Sequence, residues 1–345
     1  FFFVVWPRCL NMVQIEGEGT LMEFSVNPWR KLVAFQQGSH KRCIVVIGGQ
    51  SDGFFSLNYH TQLLQTLGGD GWTIVQALFT SWYAGYGAAT LEHDNEDLDL
   101  LIQKLVEKGM EDIVLLGHHT GAQDVLFYMQ NGQYAQRVTH VIFQGGLRNP
   151  DRGDEVIADI LDAKGKATAQ KMIDEGHGQY IMPTELHPIP ISAFRYLALG
   201  GMQGVEDFFN PKQEAEEMAE WIGHLKVPVL IMFCLEDRYK VSHAMKTEML
   251  DKIQVCIDAD VTTKWFHGGC DEQLNFLSGF ETETVQTIHN FLHAEENKKA
   301  ERLEELRREQ EAETKRGRSI VHQKSGLRRS TSQSSISSIG SGLGG

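Results

Sequence analysis

The amino-acid sequence predicts an α/β protein with a mainly parallel, doubly wound sheet and a helical insertion over the carboxyl edge of that sheet. Continuously apolar runs at 43–47 and 138–143 are typical of strands covered on both faces. Amphipathic helical stretches, such as 91–108, alternate with these runs along the chain. Strands and helices in this alternation form parallel sheets with right-handed crossovers. Ligands bind such sheets at the carboxyl ends of the strands, so the functional site is expected there.

The first predicted element is an antiparallel hairpin at an edge of the sheet. Residues 19–26 and 32–36 alternate apolar and polar side chains around Asn27-Pro28-Trp29, which is typical of paired strands with one solvent-facing side. The other predicted elements are a helix at 57–67, strands at 72–78, 138–143, 227–233 and 262–266, helices at 91–108 and 151–175, and a last helix that ends near residue 293. Residues 192–199 are expected to belong to the insertion.

The stretch at 113–126 indicates a short buried strand, a sharp turn and a helix. The turn reads Gly117-His118-His119-Thr120-Gly121, with glycine at its first and fifth positions. This is the pattern of the nucleophile elbow G-x-S-x-G, which lifts one side chain above a parallel sheet. Glycine is needed there because the strand and helix backbones pass too closely to admit Cβ atoms. The lifted position holds His119 where an esterase has serine, so the sequence predicts the elbow geometry without its usual nucleophile.

A second glycine-rich turn, Gly48-Gly49-Gln50, directly follows the buried strand at 43–47. Glycines in this position let backbone N–H groups face a ligand, as in an oxyanion hole. We expect the backbone N–H groups of Gln50 and Thr120 to form such a hole and Gly49 to line the pocket. A plain strand-to-helix turn is the alternative for this loop.

An aromatic, glycine-rich stretch at 81–87 lies between the strand at 72–78 and the next helix. Trp82 and Tyr83 are expected to line the pocket. A packed surface loop explains the same composition equally well.

Charge and composition limit the classes of partner. The 345-residue chain has 41% apolar and 9% aromatic residues, which is ordinary for a globular protein. Residues 295–345 carry 11 Lys+Arg and 8 Asp+Glu. The preceding residues therefore carry 21 Lys+Arg and 38 Asp+Glu. An acidic body of this kind repels phosphate backbones and anionic membranes, so neither nucleic acid nor membrane is expected as a partner. The five cysteines form no C-x-x-C pair, which favours reduced thiols and a cytoplasmic location.

The sequence predicts one large domain with additions at both ends. Residues 1–17 are expected to be an extension outside the fold, and 18–293 the α/β domain, with its insertion at about 151–212. A charged helix is expected at 294–313, and a disordered basic Ser/Gly tail at 314–345 that could bind a protein partner. Since Met12 stands just before the first folded pattern, residues 1–11 are expected to be an upstream extension. Two Arg-rich serine clusters in the tail resemble basophilic kinase sites, so phosphorylation is expected there.

Several stretches together resemble an α/β-hydrolase family of fungi, plants and protists that includes the fungal siderophore esterase acting on fusarinine C. The likeness covers roughly 18–293. It rests on GGQSDGF (48–54), GWTIVQ (71–76), SWYAGYGAATL (81–91), VLLGHHTGAQDVLFYM (114–129) and PISAFRYLAL (190–199).

The resemblance implies a serine, an acid and a histidine as the catalytic residues, and this chain departs from it at two of the three positions. His119 occupies the serine's place at the elbow. Asp237 matches the acid, which follows the strand at 227–233. Asp271 stands where the family's histidine follows the last strand, and His267 could substitute only if that loop shifts.

These departures leave three hypotheses. The first is a non-hydrolytic relative that binds a small ligand, an ester or a protein. The second is a hydrolase or transferase of altered chemistry, in which His119 with Asp271 or Asp237 activates water or carries a transferred group. The third is metal binding by His118, His119, His267, Asp237 and Asp271, whose spacing is not specific for any metal. No cofactor is expected.

Overall fold

The structure is a computed structural model that describes residues 17–49, 52–145, 163–187, 190–200, 208–236, 241–270, 279–294, 304, 307 and 308. The chain divides into two compact units, 1–291 and 292–345. The predicted N-terminal extension up to residue 16 and the predicted tail at 314–345 lie outside the described residues, as does the first part of the predicted insertion.

The first unit contains an eight-stranded sheet in the order β1-β2-β4-β3-β5-β6-β7-β8. The first two strands run antiparallel to their neighbours, and the pairs from β4 to β8 are parallel. The strands are Thr20–Glu23 (β1), Val33–Gln37 (β2), Arg42–Ile47 (β3), Trp72–Leu78 (β4), Asp112–His118 (β5), Val138–Gln144 (β6), Val229–Glu236 (β7) and Val261–Gly269 (β8).

Helices connect the parallel strands, as the alternating sequence pattern predicts. Short 3-10 turns occur at Tyr83–Gly87 and Ala135–Arg137. The α-helices are His60–Gly69 (α1), Leu91–Glu107 (α2), Gly121–Asn131 (α3), Ala163–Asp174 (α4), Ala193–Gly200 (α5), Ala215–Ile222 (α6), His243–Cys256 (α7) and Glu281–Leu292 (α8). The strand order, the parallel pairs and the connecting helices confirm the predicted fold class.

Apolar side chains bury the central strands on both faces. In β3 the run Cys43–Ile47 is fully buried, and β5 and β7 are also almost entirely buried. One continuous cluster joins these strands to the apolar stripes of α2 and α3. The continuous apolar runs of the sequence therefore correspond to strands covered by helices on both sides.

The antiparallel hairpin is confirmed at one edge of the sheet, and its tip is tied to the helical layer. Thr20–Glu23 pairs with residues 33–36 of β2. Arg30, in the turn, forms an ion pair with the buried carboxylate of Asp97 on α2, and Asp97 also accepts a hydrogen bond from the backbone N–H of Thr80 at 2.7 Å.

Several element boundaries differ from the sequence prediction, and three of them bear on the site. The first helix begins at His60 rather than 57, because residues 57–60 form a turn in which His60 N–H donates to Leu57 O at 3.1 Å. Strand β7 extends to Glu236, and β8 extends through His267 to Gly269. Backbone pairing between Glu236 and Gly269 continues the sheet there, and this pairing needs no apolar side chain. Both strand ends contain polar or glycine residues, so the apolar pattern of the sequence did not predict them.

The second unit is described at a few positions. Residues 304, 307 and 308 are helical, and Arg308 Nη2 donates to Glu304 Oε1 at 2.6 Å. This is one of the i,i+4 pairs typical of a solvated charged helix.

No helix among the described residues has the length and hydropathy needed to cross a membrane. Among the cysteines that the structure describes, none forms a disulfide: these are Cys43, Cys234, Cys256 and Cys270.

Candidate functional site

The turn between β5 and α3 has the backbone geometry of an elbow. Strand β5 ends at His118 and α3 begins at Gly121, so His119 lies at the apex between them. His119 has a φ of 57°, in the left-handed region that non-glycine residues rarely adopt. Residues held in this strained backbone conformation are commonly found at functional sites.

The two glycines of the elbow allow the strand and the helix to pass closely. A Cβ on Gly117 would lie 2.5 Å from Gly121 O and 2.7 Å from Ala122 Cα. A Cβ on Gly121 would overlap Ile47 O and lie 2.6 Å from Gly48 O. Neither position admits a side chain, because the atoms it would meet are backbone.

The His119 side chain packs on the glycine-rich loop after β3. A Cβ on Gly49 would lie 2.7 Å from His119 Cβ and 3.1 Å from its Nδ1. The imidazole is half-buried, and the backbone N–H of His119 donates to Gln144 O at 3.0 Å. The structure thus brings together His119 and Gly49, two residues that the sequence predicts for the site.

Asp52 fixes the shape of this loop and connects it to the elbow strand. Its Oδ2 accepts a hydrogen bond from Gly49 N–H at 2.6 Å, and its own N–H donates to Gly49 O at 3.0 Å. The same Oδ2 lies 3.6 Å from Nδ1 of His118, which is fully buried beneath the elbow. The Gly49 N–H is therefore committed to the loop itself and is not directed at a ligand.

A second buried contact supports the elbow from β6. The hydroxyl of Tyr59 donates to Gln144 Oε1 at 2.5 Å, and both side chains are fully buried. Because Gln144 also accepts the His119 N–H through its backbone carbonyl, Tyr59 and Gln144 hold the apex from below.

The aromatic residues predicted to line the pocket lie in different environments. Trp82 is buried in the main core, with its ring 5.4 Å from that of Phe79. Tyr83 is 55% exposed, and a Cβ on Gly53 would collide with its hydroxyl. Tyr83 thus lies over the loop after β3, whereas Trp82 supports the 3-10 turn from within the core.

Thr120 is the residue immediately before α3, and it is half-buried. The first N–H groups of a helix have no acceptor within that helix, so this position suits the predicted oxyanion contact. The other predicted donor, Gln50, lies outside the described residues. So do Asp237 and Asp271, which the sequence resemblance predicts at the acid and histidine positions.

His267 lies inside β8, where its side chain is exposed, and not in a loop after it. Adjacent strands are about 4.8 Å apart, so the three steps from β5 to β8 separate the elbow from this strand by about 14 Å. His118 is level with Lys264 through the register of β6 and β7, and His267 lies three residues further along. His267 could approach His119 only if the end of β8 were remodelled.

The histidines of the metal hypothesis do not converge. The rings of His118 and His119 have centroids 6.4 Å apart, and His118 is buried against Asp52. His267 is separated from both by the width of β6 and β7.

A buried cation that the sequence pattern did not reveal lies at the end of β7. Lys246 on α7 is fully buried and donates to Cys234 O at 2.8 Å and to Leu235 O at 3.1 Å. The sequence analysis also did not predict Asp52, Tyr59 and Gln144 as site residues. Two of them had a signal in the sequence, because Asp52 and Gln144 lie beside the glycines that follow β3 and β6.

Comparison with known proteins places the chain among esterase-like relatives. It is 29% identical over 198 residues to a UPF0613 protein of Schizosaccharomyces pombe, covering 53% of this chain and 61% of that protein. It is 23% identical over 231 residues to the fusarinine C esterase of Aspergillus fumigatus, covering 53% of this chain and 65% of the esterase. The chain thus spans less than two thirds of the length of these curated relatives.

A solved structure described as an α/β-hydrolase fold protein of unknown function superimposes with a TM-score of 0.64. It has 27% identical residues, over 83% of this chain and 99% of its own. The family model described as "Protein of unknown function (DUF1749)" matches residues 12–273. This chain therefore belongs to the DUF1749 family, has the α/β-hydrolase fold, and is related to siderophore esterases.

Proposed function

We propose that this α/β-hydrolase domain binds an ester or carboxylate ligand at the elbow without hydrolysing it by the serine mechanism. The observation that carries the proposal is the imidazole of His119 at the apex, with its backbone at φ 57° and its side chain against Gly49. An ester-cleaving relative raises a hydroxyl at this position.

The chemistry of ester cleavage explains why the exchange matters. The serine mechanism forms a covalent ester on a hydroxyl, whose proton passes to a histidine that a carboxylate orients. His119 offers no hydroxyl, and the sequence resemblance predicts Asp271 at the position of the relaying histidine. Removing the nucleophile of such a triad lowers turnover by a factor on the order of 10⁶.

Ligand binding survives such a loss because binding and bond cleavage use different groups. The helix N-terminus at Thr120 attracts a carbonyl or carboxylate oxygen, and the loop held by Asp52 forms the facing wall. The relation to a fusarinine C esterase supports siderophore-type esters as the first ligands to test.

The proposal predicts thermal stabilisation by a ligand without turnover. Purified protein is mixed with fusarinine C or a simple aryl ester, and the melting temperature and released acid are both measured. A rise in melting temperature with no acid released above the uncatalysed rate supports the proposal. Robust hydrolysis by the wild-type protein overturns it, and loss of that hydrolysis in His119→Ala would assign the chemistry to a histidine base.

A fluorophosphonate probe tests the elbow itself. Wild-type protein is expected to remain unlabelled, and the double variant His119→Ser/Asp271→His is expected to become labelled, because it restores both the hydroxyl and the histidine that takes its proton. His119→Ser alone lacks that histidine and is the matched control that stays unlabelled. A folded double variant without label would contradict the assignment of these two positions.

A further inference from the structure

A buried polar network lies beside the loop after β3. Its three side chains are Gln37 at the end of β2, Gln76 in β4 and His60 at the start of α1, and each is at most 2% exposed. His60 Nε2 lies 2.6 Å from Gln37 Oε1, and Gln37 Nε2 donates to Glu18 O at 3.2 Å. Because buried polar groups need hydrogen-bond partners, such a network specifies one arrangement of the segments that it joins.

The network holds the loop after β3 through Phe55. The backbone N–H of Phe55 donates to Gln76 Oε1 at 2.6 Å, and the Phe55 ring packs edge-on against the imidazole of His60, with centroids 5.0 Å apart. Phe55 has a φ of 62°, which a bulky residue adopts only where its surroundings hold it there. The contacts with Gln76 and His60 therefore maintain a strained backbone conformation.

Phe55 belongs to the same loop as the glycines that face the elbow. At the start of that loop, Asp52 Oδ2 accepts a hydrogen bond from Gly49 N–H at 2.6 Å, and Gly49 lies against the side chain of His119. The loop is thus held at two points, by Asp52 beside the elbow and by Gln76 at Phe55. Loss of the second contact would free the backbone that follows Asp52.

The hydrogen bonds determine which nitrogen of His60 carries the proton. The amide oxygen of Gln37 can only accept, so the imidazole Nε2 at 2.6 Å is the donor. The neutral ring then has no proton on Nδ1, and this buried atom has no hydrogen-bond partner among the residues that the structure describes. A second proton, on Nδ1, would add a buried charge and a donor for which those residues provide no acceptor, which is costly.

His60 is the titratable group of this network. The three elements that meet there, α1, β2 and β4, carry no other titratable side chain. The adjoining segments carry Glu18, Asp52 and Tyr59. Glu18 contacts the network through its backbone carbonyl, Asp52 is bonded within its own loop, and the Tyr59 hydroxyl donates to a side chain of β6. A change of charge in the network is therefore a change at His60.

We propose that Gln76 and His60 are positioning residues that hold the loop after β3 closed through Phe55, and that protonation of His60 releases the loop. The role of this loop as a pocket wall rests on the proposed function. Burial lowers the pKa of His60 to about 4, whereas an imidazole that reaches water titrates near 6.5. The released state therefore binds more protons, so the closed state is fully favoured above about pH 6.5 and is lost as the pH falls towards 4.

Hydrogen exchange of the Phe55 amide, followed by NMR, tests the proposal in the full-length protein. Protection factors, corrected for the intrinsic exchange rate at each pH, are compared between pH 6 and 4.5. We expect a fall of about ten- to thirtyfold, since release of the loop takes up as much as one proton and tenfold per pH unit is then the limit. Because no ligand is present, the result does not depend on whether the elbow binds an ester.

The slowest amides of α7 in the same sample report opening of the whole domain. At each pH they should stay about tenfold or more better protected than the Phe55 amide, because release of the loop is local. Equal protection of the two at every pH would show that the loop opens only when the domain unfolds, which overturns the proposal.

His60→Gln tests the titrating group, because its amide can still donate to Gln37 Oε1 but cannot take up a proton. Its Phe55 protection is expected to change less than about twofold over the same range. His177→Gln makes the same exchange at an exposed position and should keep the wild-type pH dependence. An unchanged decline in His60→Gln, or protection that is independent of pH in the wild type, contradicts the assignment of the proton to His60.

Gln76→Met tests the contact with Phe55 without any titration, and it serves as the second variant if His60→Gln does not fold. Its side chain has similar length but no acceptor for the Phe55 N–H, so protection of that amide should fall about five- to tenfold already at pH 6. The matched control is Gln103→Met on α2, where the amide donates to Glu107 at 3.1 Å and protection of Phe55 should not change. Wild-type protection of Phe55 in Gln76→Met would show that Gln76 does not hold the loop.

Discussion

The contribution of Lys246 to stability follows from its buried surroundings, and its position in the sequence did not predict it. It is a fully buried ammonium on α7 that donates to Cys234 O and Leu235 O at the end of β7. We expect Lys246→Met to lower the free energy of unfolding by about 1–3 kcal/mol, because a buried and a part-buried carbonyl lose their charged donor while the side-chain volume is kept. Urea denaturation measures the change.

Lys171→Met is the matched control. That lysine lies on α4, is 74% exposed, and has its Nζ 3.8 Å from Oε1 of Glu175, so its loss should change stability by less than about 0.5 kcal/mol. Equal stability of the Lys246→Met variant and the wild-type protein would show that Lys246 does not hold the end of β7.

Single residues also show the limit of prediction from sequence. The position of His119 follows from two glycines within five residues, because the turn that needs them is local. The contact of His118 with Asp52, and that of Tyr59 with Gln144, join residues far apart in the chain. No local pattern marks such pairs, since tertiary packing alone brings them together. The positions of Asp237 and Asp271 relative to His119 stay predictions.

The elbow tolerates few substitutions, because its glycines lie against neighbouring backbone atoms. Gly121→Ala would place a methyl group into Ile47 O and Gly48 O, which are backbone atoms of the neighbouring strand end. We expect a loss of about 1–3 kcal/mol or more in the free energy of unfolding, as for other overpacked sites. Thermal or urea denaturation gives the value.

Gly69→Ala makes the same chemical change at the end of α1, where a Cβ would meet nothing within 4 Å. That variant should be neutral or slightly more stable, because alanine restricts the unfolded chain and favours helix. If both alanine variants behave alike, the close approach of β5, α3 and the loop after β3 is not what requires Gly121.

Element boundaries were predictable where side chains determine them. The strand at 72–78 and the start of α2 coincide with the sequence pattern, because apolar periodicity marks both. The ends of β7 and β8 did not, since the Glu236–Gly269 pairing is made by backbone groups. That extension matters for function, because it puts His267 within the sheet.

At the scale of the whole molecule, buried titratable groups give two opposing dependences of stability on pH. His60 is buried and bonded to Gln37 Oε1 at 2.6 Å, and burial lowers its pKa to about 4. The unfolded imidazole binds a proton below about pH 6.5. His60 therefore contributes stability that is complete above that pH and is lost as the pH falls towards 4.

Two buried carboxyls, Asp94 in α2 and Asp124 in α3, act in the opposite direction. Burial raises the pKa of Asp94 to about 6 and that of Asp124 well above the ordinary value, whereas both ionise near pH 4 in the unfolded chain. These two carboxyls contribute stability that is complete at low pH and is lost as the pH rises through the folded-state pKa values.

Two single variants separate these effects between pH 4.5 and 6. His60→Gln keeps a polar partner for Gln37 but cannot titrate, so its stability should fall more steeply with pH than that of the wild type. Asp124→Asn removes a carboxyl whose pKa burial raises, so its stability should rise more steeply. Each slope should differ from the wild-type slope by up to about 1.4 kcal/mol per pH unit, the limit for one proton. Urea unfolding at a series of pH values measures all three proteins, and every other titrating group cancels in the differences. Parallel profiles for the three proteins would mean that neither buried site changes its protonation when the domain unfolds.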